Sequence, residues 1–349
     1  MTTAVRELGF GPAINEALRQ EMRRDPTVIV MGEDVAGAGG RAHLGLVDAW
    51  GGPLRATRGL IQEFGPERVI DTPISEMAFV GAALGAAMTG LRPVVEIMFV
   101  DLIGVCYDQI INQAAKMHYM MGGKVDLPLT IRTSFGMRDI GGQTHGGGAA
   151  AQHSQTLYAV LAHVPGLKVV IPSTAYNVKG LMIAAIRDNG PVIVLEHRFL
   201  GGAARGHVPE EPYELPIGQA EIVRRGRDVT LCGIGRMTHL CLTAAERLAA
   251  DGVDAEVVDV LTLAPLDEAT ILESVSRTKR LVVVDEDTPV ASMARDIAAR
   301  VADKGFDYLD APIKTVTSPD TPVPFSAALE RHYVPTADWI VAAVREQLG

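Results

Sequence analysis

One glutamate at the head of an apolar segment has the clearest chemical potential in this chain. Glu76 opens EMAFVGAALGAAMTG, in which nearly every other side chain is small or apolar, and Gly81 and Gly85 lie four positions apart. Ser75 is a favoured N-cap residue type, so the pattern predicts a helix from Glu76 toward Gly90. The small residues would let another backbone or a flat ligand approach closely. Taken alone, Glu76 fits a first-turn carboxylate that complements the helix dipole, and a chemical role needs support from elsewhere in the chain.

Histidines in a glycine-rich loop are the second candidate for chemistry. The loop FGMRDIGGQTHGGGAAAQHSQ spans 135–155, with His145 inside it and His153 near its end, before a predicted helix. Imidazole changes its charge near neutral pH and suits proton transfer to a substrate oxygen, although a lone loop histidine is more often structural. The chain has no HExxH pair and no GxSxG elbow, which argues against a zinc hydrolase and a serine hydrolase.

Nucleotide-binding motifs are incomplete. Gly233-x-Gly235 follows the predicted strand DVTLC, but Thr238 stands where the third glycine of a dinucleotide fingerprint would fall, and no GxxxxGK[ST] loop occurs. The sequence therefore does not favour an NAD-dependent oxidoreductase or a P-loop protein.

Composition narrows the class of protein further. The chain has 349 residues, 48% of them hydrophobic, and a net charge of -10. This length predicts two domains, and the acidic balance without any basic run argues against nucleic acid or an anionic membrane as a partner. The three cysteines, Cys106, Cys232 and Cys241, lie far apart, which predicts reduced thiols in a cytoplasmic protein. No signal peptide opens the chain, and the apolar run 93–107 is too short and too charged to span a bilayer.

The elements that would position these residues alternate along the chain. Short apolar strands and amphipathic helices follow one another over 1–197 and again over 217–349, which predicts an α/β fold of two open, mainly parallel-sheet domains. The proline-containing segment 198–216 between them is predicted as a linker. Ligands are expected beyond the carboxyl ends of the strands.

With these motifs in place, the chain resembles the β subunits of thiamine-diphosphate-dependent 2-oxo acid dehydrogenase E1 components. Glu76, Gly81 and Gly85 have the family's spacing, and the phrases DTPISE, DQIINQAAK, AAQHSQ, HVPGLKVVIPS and PDTPVPFS extend the likeness over the whole chain. The resemblance implies a thiamine pyrimidine-binding domain followed by a transketolase C-terminal domain. Within the family, VDAWGGPLRATRGL is most similar to acetoin dehydrogenases, while pyruvate and branched-chain 2-oxo acid enzymes share most of the other phrases.

The resemblance also implies a site. Glu76 would bond N1′ of the cofactor's aminopyrimidine and promote formation of the thiazolium carbanion, and His153 would orient and protonate the substrate oxygen. Three apolar residues are implied around the pyrimidine: Ile74, Met98 and Leu102, the last where most relatives have an aromatic residue. A structural potassium ion is implied at the backbone of Leu129, Ala185 and Asp188.

Partners follow from the resemblance and from one missing motif. The superfamily binds the diphosphate through Mg2+ at a GDG motif, which this chain lacks, so a separate α subunit would supply that half, in an α2β2 heterotetramer that serves a lipoyl-bearing E2. The expected reaction is cleavage of acetoin and transfer of the two-carbon unit to lipoyl-E2, and the alternative is oxidative decarboxylation of pyruvate or a branched-chain 2-oxo acid. A non-catalytic scaffold for α and E2 is the other hypothesis, with Asp285, Glu286 and Asp287 attracting a basic E2 segment.

Overall fold

The computed structural model describes residues 6–37, 51–52, 55–137, 149–203 and 205–349. Arg138, Asp139 and His145, which belong to the glycine-rich loop, lie outside the described residues. The chain divides into two compact units, one of residues 1–135 and 160–217, the other of 136–159 and 218–349. Residues 136–159, which the sequence analysis placed in the first domain, thus group with the second.

The first unit contains a parallel sheet of buried strands. The strands of this unit are β1 Glu7–Gly9, β2 Val28–Gly32, β3 Val69–Asp71, β4 Arg92–Phe99, β5 Thr130–Phe135, β6 Lys168–Val170, β7 Val192–His197 and β8 Arg205–His207. β1 and β8 form a separate antiparallel pair. The parallel strands run in the order β6-β7-β5-β4-β2-β3. β2, β5 and β7 are buried along their whole length. β2 is accordingly a continuous apolar run rather than an alternating one, whereas β5 and β7 also bury the charged residues Arg132 and Glu196.

Helices cover this sheet. They are α1 Phe10–Arg24, α2 Leu60–Phe64, α3 Glu76–Met88, α4 Ala115–Met120, α5 Tyr158–Ala162, α6 Ala175–Arg187 and α7 Arg198–Ala203. The predicted helix from Glu76 is confirmed, and Gly90 takes a positive φ of 101° just beyond its end. Between β4 and α4 the structure has a 3-10 helix, Val100–Cys106, and a π-helix, Asp108–Ala114.

The predicted linker is not a loose connection. Residues 198–216 contain α7 and β8, and β8 pairs antiparallel with β1. Tyr213 stacks on Tyr176 with 4.7 Å between ring centroids. Prolines at 209, 212 and 216 marked irregular backbone correctly, but tertiary pairing fixes the segment against the first unit.

The second unit contains a smaller open sheet of five strands and one further strand, β12, that is not part of this sheet. Its strands are β9 Glu221–Arg224, β10 Val229–Gly233, β11 Ala255–Asp259, β12 Thr262–Ala264, β13 Leu281–Val284 and β14 Lys314–Val316, and its helices are α8 Met237–Ala250, α9 Glu268–Thr278, α10 Met293–Lys304, α11 Ala327–Glu330 and α12 Ala337–Leu348. The sheet order is β14-β13-β10-β11-β9, with only β9 antiparallel to its neighbour. Both sheets match the predicted fold class.

Gly233 has a packing role at the end of β10. A Cβ on this residue would lie 2.6 Å from the Cα of Thr238, in the first turn of α8. The Thr238 hydroxyl in turn donates to Asp259 Oδ1 at 2.9 Å. The Gly233-x-Gly235 pair is therefore explained by close approach of strand and helix, without a dinucleotide.

A buried ion cluster joins three adjacent strands of the first unit. Arg132 on β5 is 1% exposed and donates two bonds to Glu196 on β7, at 2.7 and 2.6 Å, and a third to Glu96 on β4. Such a cluster costs desolvation energy, and removing its one cation would leave two carboxylates buried together.

Among the described residues, no helix is both long enough and apolar enough to cross a membrane.

Replacing Arg132 tests this cluster. We expect Arg132→Met to lower the free energy of unfolding by about 3–5 kcal/mol, because Glu96 and Glu196 would keep buried charges without a partner. The matched control is Arg23→Met, since Arg23 is 60% exposed in its ion pair with Glu63, and such pairs contribute at most about 1 kcal/mol. Denaturant titration of both variants gives the comparison, and equal losses would contradict the assignment.

Candidate active site

Glu76 is a buried carboxylate at the start of α3. It is 5% exposed and is the first residue of the helix. Ser75 occupies the N-cap position, as predicted, but its side chain makes no capping hydrogen bond. The helix packs on β4 and on the 3-10 helix that follows it. Glu76 therefore lies at the carboxyl-end side of the sheet, where an α/β fold places ligands.

A second buried carboxyl accompanies it. Glu33 directly follows β2, which pairs with both β3 and β4, and is 7% exposed. Burial is the main cause that raises the pKa of Glu33, and the negative charges of Glu76 and Asp34 raise it further. Glu33 Oε1 is buried without a hydrogen-bond partner among the described residues. Two carboxyls that share one desolvated region favour the protonated form of one of them.

The thiol of Cys106 extends this desolvated region. Cys106 is fully buried in the 3-10 helix, and burial, followed by the charge of Glu76, raises the pKa of its thiol to about 12. It is thus a neutral neighbour of Glu76 rather than a nucleophile. The low dielectric of this desolvated region strengthens any hydrogen bond that Glu76 makes.

The apolar residues predicted around the pyrimidine differ in exposure. Met98, near the end of β4, and Leu102, in the 3-10 helix, are both half-buried, on elements that α3 contacts. Ile74 is 86% exposed, so within this chain it does not contribute to a buried wall.

Gln109 is a further polar residue beside the helix. It lies in the π-helix, and a Cβ on Gly81 would come within 3.6 Å of its Cγ. Its Oε1 is buried and has no hydrogen-bond partner among the described residues. Sequence reasoning missed both Glu33 and Gln109. The signal for Glu33 was available, since GED directly follows a continuously apolar strand, whereas Gln109 became visible only through the close packing at Gly81.

His153 belongs to the second unit. It follows the 3-10 helix Ala150–Gln152, is half-buried, and precedes the buried Ser154. Its placement in a short irregular segment agrees with the predicted loop position. Glu76 belongs to the first unit and His153 to the second.

The acidic run of the second unit is buried, which corrects one expectation. Asp285 and Glu286 are 0% and 2% exposed, and only Asp287 is partly accessible. Their carboxylates accept hydrogen bonds from the chain itself. The run therefore does not present the exposed negative surface that was expected to attract a basic E2 segment.

The backbone atoms predicted to hold potassium already have partners. The carbonyl oxygens of Leu129 and Ala185 accept from the amides of Val192 and Asp188, at 2.9 and 3.3 Å. The carbonyl of Asp188 accepts from the guanidinium of Arg92 at 3.0 Å. A cationic donor at this oxygen disfavours a second cation there. Among the described residues, no group of three or more His, Cys, Asp or Glu side chains could hold a metal ion.

Comparison with protein families agrees with the two-domain architecture. The transketolase pyrimidine-binding domain matches residues 7–202, and the transketolase C-terminal domain matches 218–340. A solved structure, "Split gene transketolase, inactive beta4 tetramer", covers 98% of both chains with a TM-score of 0.76 at 23% identity, which supports the fold alone.

Curated relatives match over nearly the full length. The β subunits of acetoin:2,6-dichlorophenolindophenol oxidoreductase from Bacillus subtilis and Cupriavidus necator are 52% and 53% identical, covering 99% and 98% of this chain and 98% of each relative. The 2-oxoisovalerate dehydrogenase β subunit of B. subtilis is 42% identical over 97% of this chain and 98% of its own. The chain belongs to this family of thiamine-diphosphate-dependent dehydrogenase β subunits, built from the two transketolase-type domains.

The burial of Glu33 beside Glu76 predicts that the stability of the fold depends on pH. A raised folded-state pKa means that the folded chain binds the Glu33 proton more tightly than the unfolded chain. This contribution to stability is present below the ordinary Glu33 pKa of 4.5 and is lost as pH rises through the raised value. Glu33→Gln keeps the shape without the titration, so its thermal midpoint should fall less than that of the parent as pH rises from about 4.5 through the raised Glu33 pKa. Parallel curves for the two proteins would contradict the assignment.

Proposed function

We propose that this chain is the β subunit of an acetoin-cleaving dehydrogenase that works with a separate α subunit and thiamine diphosphate. The observation that carries the proposal is the buried Glu76 at the start of α3, in a chain that is similar over nearly its full length to acetoin oxidoreductase β subunits. Oxidative decarboxylation of a 2-oxo acid is the runner-up, because the 2-oxoisovalerate dehydrogenase β subunit also matches nearly the full chain.

The residues around Glu76 fit an aminopyrimidine. Thiamine diphosphate, when bound, supplies a thiazolium carbon that becomes a nucleophile. Glu76 would hold a proton at a ring nitrogen through a charge-assisted hydrogen bond, which is strong because the carboxyl is desolvated. Burial and the charge of Glu76 raise the pKa of Glu33, which disfavours a second buried charge beside Glu76. The unpaired buried oxygens of Glu33 and Gln109 indicate that this region has hydrogen-bonding capacity left for a ligand.

Met98 and Leu102 would form the apolar side of this site. Both are half-buried on elements that contact α3. An aliphatic Leu102 offers dispersion contact with a flat ring but lacks the quadrupole of an aromatic residue. We therefore assign it a packing role, with orientation of the ring left to the hydrogen bond of Glu76.

His153 would act on the substrate rather than on the pyrimidine. It is half-buried in a short irregular segment that follows the 3-10 helix Ala150–Gln152. Imidazole can give a proton to a substrate oxygen and take it back near neutral pH. Cleavage of the C–C bond of acetoin would release acetaldehyde. The remaining two-carbon unit would pass as an acetyl group to the lipoyl group of an E2 component, whose disulfide is the oxidant and is reduced to a thiol and an acetyl thioester.

The α subunit would complete the site and bind the diphosphate with Mg2+. This part of the proposal depends on the absence of a GDG motif from the sequence. The exposed face of α3 supports such a partner, because Ala78, Ala82 and Gly85 are exposed and allow close helix packing. An α2β2 assembly in the cytoplasm completes the proposal. A structural potassium ion at the backbone carbonyls of Leu129, Ala185 and Asp188 stays a prediction, and Arg92 donates to the last of these carbonyls.

Substrate assays separate acetoin cleavage from its alternatives. The chain is reconstituted with its α subunit, thiamine diphosphate and Mg2+, and turnover of acetoin, pyruvate and 3-methyl-2-oxobutanoate is measured with 2,6-dichlorophenolindophenol as the electron acceptor. We expect acetoin to give the highest kcat/KM. Acetoin turnover at background level, with turnover of a 2-oxo acid, would replace the proposal by its runner-up. The chain without α is the control and should be inactive.

Replacing Glu76 distinguishes a catalytic subunit from a scaffold. Glu76→Gln keeps the size but cannot hold a charge, so we expect kcat of the reconstituted complex to fall by about 10²-fold or more. The control is Glu67→Gln, since Glu67 is an exposed glutamate of the same unit. Size-exclusion chromatography checks that both variants still assemble with α. Full activity of the Glu76 variant would favour the scaffold hypothesis.

A further inference from the structure

The buried acidic run holds the described residues on both sides of His153. Glu286 Oε1 accepts from the backbone amide of Met137 at 3.0 Å, and Asp287 Oδ1 accepts from the hydroxyl of Thr156 at 2.9 Å. The hydroxyl of Tyr158 donates to Asp285. Three consecutive carboxyls thus bind one residue before His153 in the chain and two residues shortly after it.

The carboxyls are themselves fixed to the core of the second unit. They directly follow β13, which lies between β10 and β14 in the sheet. Asp285 Oδ2 accepts from the amide of Ala294 in α10 at 2.9 Å, and Asp285 Oδ1 accepts from the amide of Asp287 at 3.0 Å. Asp287 Oδ1 also accepts from the amide of Thr288 at 2.8 Å. The run is therefore a rigid base, since its side chains cannot rotate without breaking backbone hydrogen bonds.

Burying this run is costly, which favours a role beyond packing. Burial raises the pKa of Asp285, and burial followed by the charge of Asp285 raises the pKa of Asp287 to about 7. Burial also raises the pKa of Tyr158, so its hydroxyl remains a neutral donor. Apolar side chains would hold the segment at a lower desolvation cost but would not fix the direction of its hydroxyls.

A cavity of about 300 Å³ lies next to one of these bonds. Its lining includes Gln155, Thr156, Asp287 and Tyr333, all in the second unit. The segment just after His153 is thus not packed tightly on this side, and the bond between Thr156 and Asp287 replaces contacts that a filled core would supply.

We propose that the hydrogen bond from Thr156 to Asp287 positions the His153 segment, residues 150–158, for catalysis. The hydrogen bond from Tyr158 to Asp285 supports the same segment. Thr156 is a positioning residue, three positions after His153 in the chain. The inference rests on the proposed function, in which His153 acts on the substrate.

Kinetics of the reconstituted α/β complex test the proposal. Thr156→Val keeps the shape and removes the donor, so we expect kcat for acetoin to fall about tenfold, the effect of losing one hydrogen bond to a carboxylate, while KM changes less than about twofold. Thr156→Ser restores the donor and should return kcat to within about twofold of the parent. Thr321→Val is the matched control, because Thr321 lines the same cavity and donates to Pro322 instead. A kcat for Thr156→Val equal to that of Thr321→Val would overturn the proposal.

Amide hydrogen exchange of the same complex gives a readout that does not need activity. Thr156→Val should speed exchange over residues 150–158, with Thr156→Ser and Thr321→Val unchanged, and Tyr158→Phe should act in the same direction as Thr156→Val. If the parent complex turns over no substrate, the proposed function fails, and exchange alone decides whether the bond holds the segment. Unchanged exchange in both Thr156→Val and Tyr158→Phe would overturn the proposal even in an active complex.

Discussion

The desolvation of carboxyl groups at the carboxyl ends of parallel strands is the constraint on which the described site depends. Glu33 follows β2 and Glu76 opens the helix after β3, and both are buried where no described cation pairs with them. In a low-dielectric environment a lone carboxylate is expensive, and a proton or a ligand donor is needed to stabilise it. Glu33 and Glu76 meet part of this requirement by a hydrogen bond between their carboxyls, and the chemistry proposed for Glu76 adds a ligand donor.

The structure contains a second kind of buried carboxyl that has no such requirement. Glu96 and Glu196 are as deeply buried as Glu76, but Arg132 binds both of them. Arg132 compensates their charge in part and joins the three strands, although Glu96 Oε1 keeps no hydrogen-bond partner among the described residues. Within this unit, structural acids differ from the candidate functional acid Glu76 in having a bound cation, and not in how deeply they are buried.

The acidic run of the second unit is a third arrangement. Asp285, Glu286 and Asp287 accept from hydroxyls and backbone amides instead of from a guanidinium. Hydroxyl and amide donors give direction without neutralising charge, which suits the positioning of a chain segment. Three adjacent acids usually are solvated, so the sequence predicts an exposed surface for this run. Nothing local in the sequence distinguishes a solvated strand end from one that a later-packed segment covers.

The sequence by itself determined the fold class, the helix that begins at Glu76, and the family. Continuous apolar strands alternating with helices are local patterns, and the spacing of Glu76, Gly81 and Gly85 is a property of one helix. Only the tertiary structure decided which acids share a desolvated region, that Gly233 serves helix packing, that residues 198–216 pair with the N-terminal strand, and that the acidic run holds the His153 segment. These features join residues distant in the chain, such as Glu33 with Glu76 and Thr156 with Asp287. Burial and hydrogen bonding between distant residues depend on how the elements pack, which no local pattern encodes.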